Sequence, residues 1–199
     1  MCGVIGLVFD QKRNDLGRVA AELLQMLEYR GYDSTGAAIQ DGEEVTLRKG
    51  VGAPSVMVHE LGIVNLAGQI MAGQVRWATF GAVDEQNSQP HVVRCKTFMY
   101  GAHNGNVTNS DDQKKWLIQE GHAVVSDNDG EMVVHTIEHL FAQRLREGLG
   151  PMDRRAAMRA AIVDAAAMLK GSFAAVVVDP VSRASWAIKL GSSLYFGFG

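Results

Sequence analysis

A chain of 199 residues that is 47% apolar and 21% charged has the balance of an ordinary globular protein, which excludes disorder and leaves room for one large core. Its formal charge of −3, with no basic cluster denser than Arg154-Arg155, excludes an electrostatic footprint for nucleic acid. No stretch approaches the roughly 18 uninterrupted apolar residues of a membrane span, and Cys2 and Cys95 allow one bridge at most, so we expect neither a membrane nor secretion but a reducing cytoplasm.

In chain order, residues 4–9 form a short β-branched and apolar run that reads as a strand closing at Asp10. Residues 16–29 repeat apolar side chains at helical spacing until Gly31. Residues 37–40 and 45–48 flank a turn-forming Asp41-Gly42 and predict a hairpin. Residues 74–77 and 97–102 read as strands, each running into a loop rich in Gly, Asn and Thr, and Cys95 falls in a stretch expected to be strand. Residues 131–145 and 158–169 carry helical stripes, and residues 172–179, 184–188 and 194–198 return to strand. The order β-α-β-rich-α-α-β, without a repeat or a linker, predicts one α+β domain over 1–199 with sheets and helices in segregated layers.

The most informative residue is Cys2, directly behind the initiator methionine. Removing Met1 would give one residue both a thiol, of reference pKa about 8.5, and a free α-amine, of reference pKa roughly 7.7–8.0. Nucleophile and base would then sit on one residue without a histidine partner. Three further segments combine charged or amide side chains with glycine: Arg30-Gly31-Tyr32-Asp33-Ser34-Thr35-Gly36, Arg76-Trp77-Ala78-Thr79-Phe80-Gly81 and His103-Asn104-Gly105-Asn106. Loops of that composition bind small polar molecules more often than they fill cores.

Together with Met1-Cys2-Gly3, these segments resemble the glutaminase domain of class II glutamine amidotransferases, a family of N-terminal-nucleophile hydrolases, over essentially the whole chain. The first two look most like the glucosamine-6-phosphate synthase branch, whereas residues 102–109 look closer to the phosphoribosylpyrophosphate amidotransferase form. Two positions depart from the synthase pattern, Phe80 and Gln89, each in place of histidine; glutamine at the second is the purine-type choice.

The resemblance implies a four-layer αββα sandwich with Cys2 at the start of a central strand. It implies that Cys2 attacks the side-chain amide of L-glutamine, and that the Asn104 side chain and the Gly105 backbone N–H hold the oxyanion. Arg76 would grip the substrate α-carboxylate and Asp129 its α-ammonium, while Trp77 and Thr79 shape the pocket. For Asp129 a helix N-cap is an equally good role, open also to Asp127 and Asn128. The implied partners are glutamine and a synthase domain or subunit that receives ammonia, with fructose-6-phosphate as the candidate acceptor and a second copy of the chain as a further candidate partner. No cofactor and no metal are expected. The chain reads as a fragment of a larger amidotransferase or as a short free-standing subunit.

Two other readings compete. A glutaminase-like domain can persist as a silent regulatory module, against which Cys2, Arg76, Asn104, Gly105 and Asp129 are all chemically intact. His135-Thr136-Ile137-Glu138-His139 matches the H-x-x-E-H signature of a zinc hydrolase. Here we expect solvated or partner-facing histidines, no stoichiometric zinc, and activity indifferent to chelators.

Overall fold

The computed structural model of the chain describes residues 2–79, 81–147 and 153–199. β1 (Gly3–Arg13) leads through α1 (Leu16–Met26) and a 3-10 turn (Glu28–Arg30) to β2 (Ser34–Asp41) and β3 (Glu44–Val51). α2 (Pro54–Glu60), a second 3-10 turn (Ile63–Asn65), β4 (Gly68–Arg76), β5 (His91–Val93) and β6 (Met99–Val107) follow. The chain then runs through α3 (Ser110–Gln119), α4 (Asp129–Arg146), α5 (Arg154–Met168), β7 (Gly171–Asp179) and β8 (Ala184–Leu190).

The strands form two four-stranded sheets, ordered β1-β4-β2-β3 and β5-β6-β7-β8, in which all neighbours are antiparallel. Alternation sorts their side chains between three cores. Ala37 and Ile39 of β2 and Met71 and Val75 of β4 pack under α1 with Leu16, Ala20 and Leu24. Ala38, Ile70 and Ala72 face the other way, onto Tyr100, Val176 and Val178 of the second sheet. Ala175 and Val177 of β7 then pack on α4 and α5 with Val133, Ile137, Phe141, Met158 and Ala161. Three interfaces between four layers make the αββα sandwich that the family resemblance implies.

Several local expectations need correcting. β1 is the edge strand of its sheet rather than a central one, so the chain start lies beside one neighbour, β4. The polar segment 103–106 is no loop: pairing with β7, from Tyr100↔Val178 to Val107↔Gly171, carries β6 through it. Cys95 sits in the bend between β5 and β6, not in a strand. Residues 194–198 form no strand, because no described strand pairs with them and Tyr195, Phe196 and Phe198 are left exposed.

Periodicity also missed three elements. α2 is only seven residues long and buries Pro54 and Val58, β5 has three residues, and α3 buries a single apolar side chain, Leu117. The Phe80 reading lies outside the described residues, as does Met1. No helix among the described residues is long and apolar enough to cross a membrane.

Candidate active site

Cys2 stands at the head of β1, and its backbone carbonyl accepts a hydrogen bond from Arg30 Nε at 3.0 Å. Its Sγ lies 3.4 Å from both the carbonyl and the amide nitrogen of Trp77, the residue after β4. The β1–β4 register, Gly3↔Val75, sets these two strand ends side by side. Burial pushes the Cys2 thiol pKa up, against the opposing pull of the Trp77 backbone and the Arg76 charge.

Cys2, Trp77, Thr79, Asn104, Gly105, Asn106, Ser172 and Ser192 line one cleft of about 540 Å³, within the usual range for a small-molecule site. A comparable depression on the outer face of α5, between Arg155, Arg159 and Asp164, holds no nucleophile. Trp77 is 42% exposed and meets Tyr32 edge-on at 5.3 Å, so it is a pocket wall rather than core.

At Gly105 the backbone itself forms the wall. Its φ of +147° is one that L side chains rarely adopt, and a Cβ there would collide with Ser172 O and Phe173. Gly105→Ala is therefore expected to cost about 1–3 kcal/mol of stability through strain alone, read as a lowered Tm. An unchanged Tm would mean that β6 and β7 part easily here.

Arg76 and Asp129 flank this cleft without lining it. Arg76, only 2% exposed, donates from Nη1 to Ala82 O at 2.7 Å and from Nη2 to Gly81 O at 3.2 Å. Its guanidinium thus already organises the loop after Trp77, and burial lowers its pKa. Asp33 braces the same loop, receiving Ala78 N–H on Oδ2 at 2.7 Å.

The helix cap at α4 belongs to Asn128, whose Oδ1 accepts Gly130 N–H at 2.9 Å. Asp129 instead points into the protein. It accepts Val107 N–H at 2.9 Å and lies 3.3 Å from His103 Nε2. Burial alone would raise its pKa, but His103 and the Val107 amide hold it below the usual carboxylate value. Arg76 and Asp129 both act on the Cys2 thiol, the guanidinium charge lowering its pKa and the carboxylate raising it.

Sequence reasoning assigned no role to His103 and treated Gln89 only as a departure. Gln89 Oε1 accepts His103 N–H at 2.7 Å, and its Nε2 lies 3.1 Å from His103 Nδ1. Gln89 therefore fixes the ring that faces Asp129. Gly130 makes room, since a Cβ there would strike His103 and Gln89. The only sequence signal was adjacency: His103 precedes Asn104 on the same strand.

Two antiparallel sheets between helical layers, with a cysteine leading the first strand into a polar cleft, define an αββα sandwich of the N-terminal-nucleophile hydrolase type. The chain belongs to the glutamine amidotransferase domain family, whose model matches residues 75–189. That match begins after Cys2, but similarity to whole enzymes extends over the full chain.

Glutamine–fructose-6-phosphate aminotransferase [isomerizing] of Sulfolobus acidocaldarius is 32% identical over 199 residues, covering 100% of this chain and 32% of the relative. Its Pyrococcus horikoshii counterpart is 38% identical over 138 residues, covering 69% of this chain and 22% of the relative. Among solved structures, the glutamine phosphoribosylpyrophosphate amidotransferase from B. subtilis complexed with ADP and GMP is similar, with a TM-score of 0.70 and 25% identity. It is covered to 35%, against 90% of this chain. The chain thus spans no more than about a third of the length of these relatives.

Proposed function

We propose that this chain carries the glutaminase half-reaction, hydrolysing the side-chain amide of L-glutamine to glutamate and ammonia through a Cys2 thioester. The observation that supports this most directly is the single cleft whose lining brings Cys2 together with Asn104 and Gly105. Attack of Sγ on the amide carbon makes a tetrahedral oxyanion. Donors of the Asn104 and Gly105 kind stabilise such charge, and losing one typically costs on the order of 100- to 1,000-fold in rate. The α-amine of a processed Cys2 accepts the thiol proton and passes it to the departing nitrogen, which leaves as ammonia. Water then cleaves the thioester to glutamate and restores the thiol.

In this reading Asp129 holds the substrate ammonium and Arg76 its carboxylate, with Trp77 and Thr79 as walls. Because the Arg76 guanidinium is engaged by Gly81 and Ala82, a bound carboxylate would share it with the loop or displace that contact. Arg76→Ala is expected to raise KM about 30- to several-thousand-fold, the effect of losing one partner of a buried charged contact, with a smaller change in kcat. A wild-type KM in that variant would remove glutamine from this position. Arg94, which stacks over Phe98 at 3.6 Å, and Arg48 on β3 would be the next cations to test.

Ammonia would pass to a synthase domain or subunit. The named function of the relatives makes fructose-6-phosphate the first acceptor to assay, and Gln89 together with the likeness to a solved phosphoribosylpyrophosphate amidotransferase makes that sugar phosphate the second. Two free cysteines support a reducing compartment, the cytoplasm, for this reaction. The decisive assay is ammonia and glutamate release from L-glutamine by the purified chain; no release by a correctly processed, folded sample would overturn the reading.

A further inference from the structure

The H-x-x-E-H motif on α4 meets two residues that its sequence neighbours do not announce. Cys95 comes from the bend between β5 and β6, and His122 from the segment after α3. None of the five side chains lines the Cys2 cleft. His135 and His139 are buried rather than solvated, as are His122 and Glu138, which corrects the expectation drawn from the motif alone.

His122 Nδ1 lies 3.1 Å from His135 Nδ1 and 3.3 Å from Glu138 Oε2, and Cys95 Sγ lies 3.9 Å from His135 Nδ1. The ligand atoms of Cys95, His122 and His135 all fall within 4.8 Å of one another. Metal–ligand bonds of about 2.0–2.3 Å in a tetrahedron place ligand atoms roughly 3.3–3.6 Å apart, so the observed spacings bracket those of a coordination shell.

Hydrogen bonding within the cluster accounts for it poorly. His122 Nδ1 carries at most one hydrogen, yet it faces both a ring nitrogen and a carboxylate oxygen. Glu138 Oε2 is fully buried without a hydrogen bond, although Oε1 accepts from the amides of Lys96 and Thr97, both at 2.5 Å.

The surroundings are those that ligands require. His135 turns its other nitrogen, Nε2, toward Glu131 Oε1 at 3.5 Å. His122 turns Nε2 to His139 Nδ1 at 3.0 Å, and His139 faces Glu120 in turn at 3.9 Å. Ala123 N–H donates to the Cys95 sulfur at 3.3 Å. Ligating histidines are oriented by carboxylate or polar partners of this kind.

We propose that Cys95, His122 and His135 bind one divalent ion of the zinc class as a structural site, with Glu138, which stands outside their 4.8 Å group but has Oε2 3.3 Å from His122 Nδ1, turning in as the fourth ligand. One sulfur, two imidazole nitrogens and one carboxylate oxygen suit a borderline-soft ion, and four protein ligands leave no open position for hydrolytic chemistry. The ion would staple the β5–β6 bend and the segment after α3 to α4, the helix that begins with Asp129. Cys95 is only partly buried, which gives an entry path.

The test uses the full chain, stripped with a chelator and reconstituted with zinc or cobalt. We expect roughly one zinc per chain and a Tm raised by the metal. Cobalt should give thiolate-to-metal charge-transfer absorption, which reports a bound cysteine. Cys95→Ser should lose that band, and Glu131→Gln should weaken zinc affinity about 10- to 100-fold with the band retained. Less than stoichiometric metal after reconstitution, a cobalt spectrum without thiolate absorption, or a Cys95→Ser protein that keeps both ion and band would overturn the proposal. Should Cys95→Ser fail to fold, the wild-type cobalt spectrum alone decides. These readouts are independent of glutamine turnover, so their failure leaves the glutaminase reading standing.

Discussion

Cys2→Ala is expected to abolish glutamine hydrolysis while glutamine binding stays measurable. Sγ is the atom that would form the thioester, so its removal strikes kcat directly; loss of a nucleophile in a hydrolase can cost on the order of a million-fold. Binding should survive because Trp77, Thr79 and Asn104 line the cleft independently of the thiol, and Arg76 and Asp129 are fixed by their own partners. The Sγ contacts with the Trp77 backbone, at 3.4 Å, are weak sulfur hydrogen bonds, and losing them should shift Tm little. Ammonia release and calorimetric binding measured on the same folded preparation separate the two effects. Residual turnover near the wild-type rate would show that another nucleophile is used, and Cys2 would lose its place in the mechanism.

The layers were legible in the sequence because alternation in a buried strand is a local signal. In β7, Ala175 and Val177 face the helices while Val176 and Val178 face the other sheet, and a run apolar on both faces already points to burial between layers. The segment 103–106 was misread because its Asn and Gly content matches that of loops, and only the pairing with β7 overrides that composition.

Within the site, Trp77, Thr79, Asn104 and Gly105, which line one cleft, could be picked out because they fall in short motifs contiguous in the chain. The bracing partners were hidden. Gln89, His103 and Asp129 come from three segments and meet only when α4 packs across the second sheet. The same holds for Cys95 and His122 beside His135: no spacing rule links positions that tertiary contact alone brings together. Asp129 shows the limit in miniature. Three adjacent residues could all cap a helix, and which one does so depends on backbone angles, with Asn128 extended at φ −73° and ψ 123°.

A chain that keeps Met1, or carries any N-terminal extension, is expected to show little glutaminase activity although it folds. Burial raises the Cys2 thiol pKa, so near neutral pH the sulfur is protonated and needs a base to become a nucleophile. In a processed chain that base would be the α-amine on the same residue, with a reference pKa of roughly 7.7–8.0. In an unprocessed chain the Cys2 nitrogen is a peptide amide, which has no basicity to offer. Among the described residues, the cleft lining contains neither a histidine nor a carboxylate to substitute for it. His103 faces Asp129 and Gln89 instead. Loss of general-base catalysis typically costs about 100- to 10,000-fold. Intact mass spectrometry beside ammonia release should therefore show activity rising in proportion to the fraction of chains that begin at Cys2. Full activity in a homogeneous Met1-retaining sample would show that the proton leaves by another route, and the single-residue nucleophile and base would have to be abandoned.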